Sequence, residues 1–343
     1  MLQIRNGSPF AAGIALLPNA DGIDTLYLVV KGTFTLESTP RVADEQVPIV
    51  AAPKHVDDPA SSGMTHAPDI GLSKPSTDVL LVGSAFAPEG RPTSRVDVSV
   101  TVGPVHTAAL VQGDRVWEDS VVGYRASPPN VFTEIPLVWE RAFGGFDETP
   151  DGVLTMPENP VGTGFRARNG TLPIAGLPLP NVEDPGNLVG THTDRPKPVG
   201  FAPVGAHWEP RRRYAGTYDE AWQADRSPFL PTDFDARFLQ VAPEPFITPS
   251  YLAGGEPIEL HGLSPAGPIR SRVPLADLTV QFVLDGTAHP APANIDTLVL
   301  EPRDRRFSIV WRAEFACDKR ALRVKEARVS LGRILLRRPS HEH

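Results

Sequence analysis

Arg306-Phe307-Ser308-Ile309-Val310-Trp311-Arg312-Ala313-Glu314-Phe315 is the stretch on which the fold class turns. Apolar residues recur at every second position, so an extended strand lays Phe307, Ile309, Trp311, Ala313 and Phe315 on one face. Wound as a helix, the same pattern would scatter those side chains around the cylinder. Upstream, Thr297-Leu298-Val299-Leu300 and Leu278 to Leu284 have the same character, and the latter ends at the turn signal Asp285-Gly286. Val96 to Val102 alternates strictly, which puts its valines on one face. Near the start, Thr25-Leu26-Tyr27-Leu28-Val29-Val30-Lys31-Gly32-Thr33-Phe34-Thr35-Leu36 is β-branched and aromatic, bounded by Asp21-Gly22. Gln112-Gly113-Asp114, between Thr107–Val111 and Arg115–Trp117, predicts a hairpin turn. Ile135 to Trp139 reads as a short strand whose Pro136 favours an edge or first position. Residues 38–78 are Pro/Ser/Asp-rich and read as loop, and 319–337 fits either a helical turn over Ala321–Ala327 or a closing strand from Arg328 to Leu336.

The chain has 343 residues, 38 of them Pro and 29 Gly, which excludes a long helical bundle. Hydrophobic residues at 41% and charged residues at 22% exclude disorder as the global state. The fold class expected is mainly β: strand-rich N- and C-terminal parts forming sandwich- or barrel-like sheets, a long Pro/Gly-rich irregular middle, and few short helices. The boundaries drawn are an N-terminal β region at 1–145, a Pro/aromatic-rich wrapping segment at 146–257, and a C-terminal β region with a basic tail at 258–343. That division leaves room for one integrated domain. The middle keeps recurring aromatics, among them Phe165, Phe201, Trp208, Tyr214, Trp222 and Phe234, so it reads as anchored rather than as flexible linker. One short helix is predicted there over Tyr218–Asp225, with Thr217 as its N-cap.

Net charge is −8, unevenly spread, since residues 301–343 hold twelve Lys/Arg against six Asp/Glu. An acidic body argues against nucleic acid as partner. The basic tail, from Arg303 through Arg337 and Arg338, is a dock for an acidic partner, a solvated face, or an internal complement to the acidic body. A single Cys317 excludes a disulfide framework and points to a reducing compartment. With no apolar run of signal-peptide or membrane-span length, the expectation is a cytoplasmic protein without membrane insertion. The sequons at Asn6 and Asn169 then carry no weight.

Nucleophile and phosphate motifs are missing: there is no Gly-x-Ser-x-Gly, no Walker loop and no His-Glu-x-x-His. Gly162-Thr163-Gly164-Phe165-Arg166-Ala167 follows Asn-Pro rather than a strand and reads as a turn. His192-Thr193-Asp194 is a close His/carboxylate pair without a third partner, and His341-Glu342-His343 reads as a polar terminus. No catalytic residue, metal site or cofactor is therefore expected. The densest cluster runs from Trp208 to Arg237, where Arg and carboxylates alternate with aromatics. Asp233 and Asp235, two residues apart, are poorly placed as a glycosidase-like pair. Arg–carboxylate bonds pinning irregular backbone, and a recognition surface, are both compatible with the pattern. Candidate partner-binding residues are Trp208, Arg211, Tyr214, Tyr218, Trp222, Arg226 and Phe229.

Six phrases in order carry a family resemblance: Val30-Lys31-Gly32-Thr33-Phe34; Leu137-Val138-Trp139-Glu140-Arg141-Ala142-Phe143-Gly144-Gly145; Glu158-Asn159-Pro160-Val161-Gly162-Thr163-Gly164-Phe165; Leu179-Pro180-Asn181-Val182-Glu183-Asp184-Pro185; Ala215 to Trp222; and Leu230-Pro231-Thr232-Asp233-Phe234-Asp235. Over roughly residues 5–300 the chain resembles the domain of unknown function 2169 family, found beside type VI secretion genes. The resemblance implies a bacterial cytosolic adaptor or chaperone. Such a protein binds a secreted effector protein and helps load it onto the spike complex, whose parts include the spike protein and a PAAR-type tip. It implies no active site. The rival readings are a hydrolase built on the Arg/Asp/Trp cluster at 208–237 and a structural component of the secretion machinery.

Overall fold

A computed structural model describes residues 2–335. Arg337, Arg338 and His341-Glu342-His343 lie outside the described residues. The main strands run in chain order as β1 (Gln3–Gly7), β2 (Ala11–Pro18), β3 (Asp24–Thr35), β4 (Asp78–Leu81), β5 (Arg95–Val102) and β6 (Val105–Gln112). Next come β7 (Trp117–Ser120), β8 (Gly123–Ala126), β9 (Phe146–Thr149), β10 (Gly152–Thr155) and β11 (Val182–Glu183). The last third adds β12 (Pro257–His261), β13 (Ile269–Arg272), β14 (Leu275–Leu284), β15 (Thr287–Ala291), β16 (Asn294–Glu301), β17 (Arg306–Ala316) and β18 (Val324–Leu335). The fold is mainly β, as expected, with strand at 42% of residues, helix at 10%, and no sheet closed into a barrel.

Three sheets carry the architecture. Their strand orders are β2-β3-β17-β16-β4, β11-β6-β5-β12-β13 and β1-β18-β14-β15. β17 pairs antiparallel with β3 along its whole length, from Arg306 opposite Thr35 to Ala316 opposite Thr25. That register sets Phe307 directly across from Phe34, their rings stacked at 5.6 Å. Phe10 stacks on Trp311 at 5.5 Å, and Gly32 lies under both, where a Cβ would come within 2.9 Å of the Phe10 ring. One apolar core joins all three sheets, drawing on Leu28 and Ile309 from the first, Val98, Val100 and Ile258 from the second, and Phe282 and Val329 from the third. Burying this much aliphatic and aromatic surface supplies the main driving force for folding.

The opposite face of the first sheet is also buried, but by polar groups. Lys31 Nζ meets Asp69 Oδ2 at 2.8 Å, Lys74 Nζ meets Asp78 Oδ2 at 2.8 Å, and the Arg312 fork grips both oxygens of Asp296 at 2.9 and 3.0 Å. Lys74 Nζ also donates to Thr297 Oγ1 at 2.6 Å, and Arg312 reaches the carbonyls of Asp69 and Gly71. Three cations face three carboxylates, all of them buried, so charge balances without water. This network straps residues 47–77, which are irregular apart from Lys54–His55 paired with Met64–His66, across the sheet.

Residues 144–257 are mostly irregular. A satellite core of Trp117, Phe143, Met156, Leu179 and Val189 lies beneath them. Gln112-Gly113-Asp114 is not a hairpin turn. β6 pairs with β5 through Gly103-Pro104, and Trp117 starts a different hairpin with β8. A Cβ on Gly113 would fall 1.8 Å from the carbonyl oxygen of Asn130, so its glycine allows two backbones to touch. Residues 318–323 form a 3-10 turn before β18, so a turn and a closing strand both occur there in succession. Five of the C-terminal arginines pair internally: Arg303 with Glu134, Arg306 with Glu301, Arg312 with Asp296, Arg323 with Asp285 and Arg328 with Glu326.

Candidate protein-binding surface

The seven singled-out residues divide into an inner and an outer group. Trp208 is core: it is buried, packs edge-on against Trp139 at 5.6 Å, and donates from its indole to His207 Nε2. Arg211 is a clamp. Its guanidinium donates to the carbonyls of Phe238 and Val204 at 2.8 and 2.9 Å and lies over the Phe238 ring. Burial brings its pKa down to about 10, so the charge is held at a desolvation cost that these carbonyls offset. Tyr214 is half-buried under the Arg237 guanidinium, 4.2 Å from the ring centre. These three side chains organise the interior of the segment instead of facing solvent.

The outer group sits on a small flap, residues 217–230. Its helix α1 (Glu220–Asp225) is capped by Asp219, whose side chain accepts from the Trp222 N–H, so the cap is Asp219 and not Thr217. None of the helix residues is buried. The Trp222 indole donates to Phe229 O at 2.9 Å and its ring meets Tyr218 at 4.7 Å. Arg226 donates to Leu230 O within the flap and to Ala20 O of the β2–β3 turn, while the Phe229 ring lies on Gly22 of that turn. Tyr218 is 54% exposed and Phe229 36%, and Ile23 beside them is 38% exposed. Aromatic and arginine side chains are thus displayed on a tethered element that contributes nothing to the core.

The acids of the cluster have local duties. Asp233 accepts from the Thr217 N–H and hydroxyl at 2.9 and 2.7 Å, bonds that hold its pKa down. Asp235 accepts from the Arg237 guanidinium and N–H, which lowers it likewise. Each carboxylate fixes one bend of the chain. Among the described residues no group of three or more His, Cys, Asp or Glu is arranged to hold a metal ion.

A cleft of about 300 Å³ opens elsewhere, lined by Thr65, Ser84, Leu137, Glu134, Glu301 and Arg303 among others. Arg303 Nη2 donates to both oxygens of Glu134. Burial pushes the Glu301 carboxyl up, but His66 and the Arg306 fork outweigh it and hold it at about 2. The charges at this mouth are therefore already matched by one another. The sequence reading missed both this cleft and the buried network around Lys74, because each draws part of its lining from strands far along the chain, such as Asp296 and Arg312 or Glu301 and Arg303. The one signal available was Lys31 and Arg312 standing inside otherwise apolar strands.

No described helix is long and apolar enough to cross a membrane. A family model described as uncharacterized protein conserved in bacteria (DUF2169) matches residues 21–312. No curated protein and no solved structure matches the chain significantly.

Proposed function

The chain belongs to the bacterial DUF2169 family, and on that premise we propose that it is an adaptor or chaperone that holds a type VI secretion effector in the cytosol and helps load it onto the spike complex. The observation that carries this reading is the flap: Tyr218, Trp222 and Phe229 stand off the core on a short element, with Arg226 tying it to the β2–β3 turn. Rigid aromatics beside arginine are what protein interfaces use as anchors, since they bury large area at small entropic cost. Asp233 and Asp235 cap backbone turns, which leaves the adaptor reading ahead of a hydrolase in the same cluster.

Co-expression with the effector encoded beside the gene tests it. Tyr218→Ser combined with Phe229→Ser should abolish co-purification while the unfolding midpoint stays within a few degrees of wild type. Co-purification that survives the double change moves the effector site off the flap. Turnover of a glycan or peptide by the purified protein, lost in Asp233→Asn, would replace the adaptor by an enzyme.

A further inference from the structure

β4 and β16 run parallel and end side by side, with Leu81 opposite Leu300. Past that point the chains part. Leu81 leads through Val82 and Gly83 into the short strand Ser84–Phe86, which pairs with Glu134–Pro136. Glu301 leads into the 3-10 turn Pro302–Asp304. The cleft of about 300 Å³ opens between these continuations, at the small end of the range for ligand pockets. Its walls are tied at the base by backbone bonds: Leu81 N–H to Phe201 O at 3.0 Å, Val82 N–H to Leu300 O at 2.9 Å, and Leu137 N–H to Gly83 O at 3.0 Å. The Trp139 indole holds a further wall by donating to Ala202 O and Pro203 O. The cleft is therefore formed in advance, since closing it would break main-chain pairing.

The lining combines an apolar floor with one open polar point. Leu81, Leu137 and Ala202 are each more than nine-tenths buried, and what surface they keep lies in the cleft. Alternation along Ser84–Phe86 sends Ala85 into the core and Ser84 to the opposite face, which it shares with Pro136 across the pair. Ser84 is 8% exposed and lines the cleft, and no described residue hydrogen-bonds its hydroxyl. A nearly buried hydroxyl without a partner is costly, so it marks the point where a bound molecule would complete its bonding. Thr65, the other hydroxyl of the lining, already donates to Lys54 O at 3.2 Å. The ionic groups are also taken. Arg303 spans the oxygens of Glu134, and Arg306 donates to Glu301 and meets Asp304 at 3.0 Å. A charged ligand would have to draw one member out of such a pair and leave the other unmatched.

We propose that this cleft binds a small uncharged molecule, an amide or alcohol with a compact hydrocarbon body, whose polar group meets the Ser84 hydroxyl. A hydroxyl both donates and accepts, so it serves either group. The hydrocarbon body covers Leu81, Leu137 and Ala202, which supplies the apolar burial. Preformed walls spare the complex the cost of ordering them. The site uses no residue of the flap, so its failure would leave the adaptor reading as it stands.

Four compounds sharing one ring test it: cyclohexanecarboxamide, cyclohexanol, cyclohexylammonium and cyclohexanecarboxylate. Each is titrated into the full chain and followed by backbone amide chemical shifts and calorimetry. A neutral compound should shift the Gly83, Ser84 and Leu137 amides and bind at least about tenfold more tightly than either ion. Ser84→Ala should weaken it about fivefold, the worth of one neutral hydrogen bond, and should keep the wild-type unfolding midpoint because the hydroxyl has no partner to lose. Ser84→Leu, whose side chain fills the cleft from the same face, should abolish binding. No shift at those amides with either neutral compound overturns the proposal. An ion that binds as tightly as the neutral compounds overturns it too, and so does binding that both Ser84 variants leave unchanged.

Discussion

Asp78 and Asp296 share one lysine, Lys74, yet their carboxyls are driven in opposite directions. Burial is the largest influence on each. For Asp78 it wins, raising the pKa against the pull of Lys74. For Asp296 the combined attraction of Lys74 and Arg312 overcomes it and brings the pKa down to about 2. The consequences for stability have opposite signs. Asp296 binds protons less readily folded than unfolded, so its contribution is complete above the ordinary value of 3.8 and is lost as pH falls through about 2. Asp78 takes up a proton more readily when folded, so acid favours its native state. Asp296→Asn should lower stability at neutral pH by roughly 3–5 kcal/mol, the usual result of leaving a buried partner unpaired. Denaturant titrations between pH 4 and 2 should show a shallower decline for this variant than for wild type; parallel declines would mean that Asp296 is ionised equally well in the unfolded chain. Asp296 could not be placed from sequence, because an aspartate inside an apolar strand looks the same whether water or a lysine 222 residues away in the chain (here Lys74) neutralises it.

The phrases by which the family is recognised turn out to be interlocking parts. Phe143-Gly144 pairs in parallel with Thr163-Gly164, and the buried Asn159 amide donates to the carbonyls of Trp139 and Phe143 at 2.9 and 3.0 Å. A Cβ on Gly162 would lie 2.3 Å from Asn159 Nδ2 and 2.7 Å from the carbonyl oxygen of Ala142. Glu183, from a third phrase, accepts from Arg115 at 2.5 Å and Gln112 at 2.6 Å. Gly162→Ala should therefore destabilise by roughly 1–3 kcal/mol through overpacking, read as a lower unfolding midpoint; an unchanged midpoint would show that the backbones are not pressed together. Strands with one apolar face, such as β5 and β17, were legible because alternation survives in the sequence. The second, polar burial of β3 and β17 was not, since Lys31 and Arg312 imitate solvent-facing residues. Nor was the β7–β8 hairpin, whose Val121-Val122 tip lacks every usual turn residue. At the flap, sequence supplied the right neighbourhood but could not separate Trp208, sunk against Trp139, from Tyr218, which stands in water.

Strands from the two ends of the chain are interleaved throughout. β16 and β17 fill the middle of the first sheet between β3 and β4, while β1 lies parallel to β18 in the third. Cutting after residue 257 removes the two strands that lie between β3 and β4 in the first sheet and leaves β3 paired on the β2 side alone. That fragment should be insoluble or lack a cooperative unfolding transition, and co-expressed residues 258–343 should restore solubility. A soluble fragment with a sharp transition would show that the first part closes its core unaided. The same interleaving bears on how the protein is made. Thr25 in β3 pairs with Leu17 of β2 early, but finds its partner on the other edge only when Ala316 has left the ribosome. At about 5–20 residues per second of synthesis, the β3 edge that β17 covers stays unpaired for roughly 15 to 60 s. Through that interval the nascent chain carries an open strand edge, so slowing translation should lower its soluble yield.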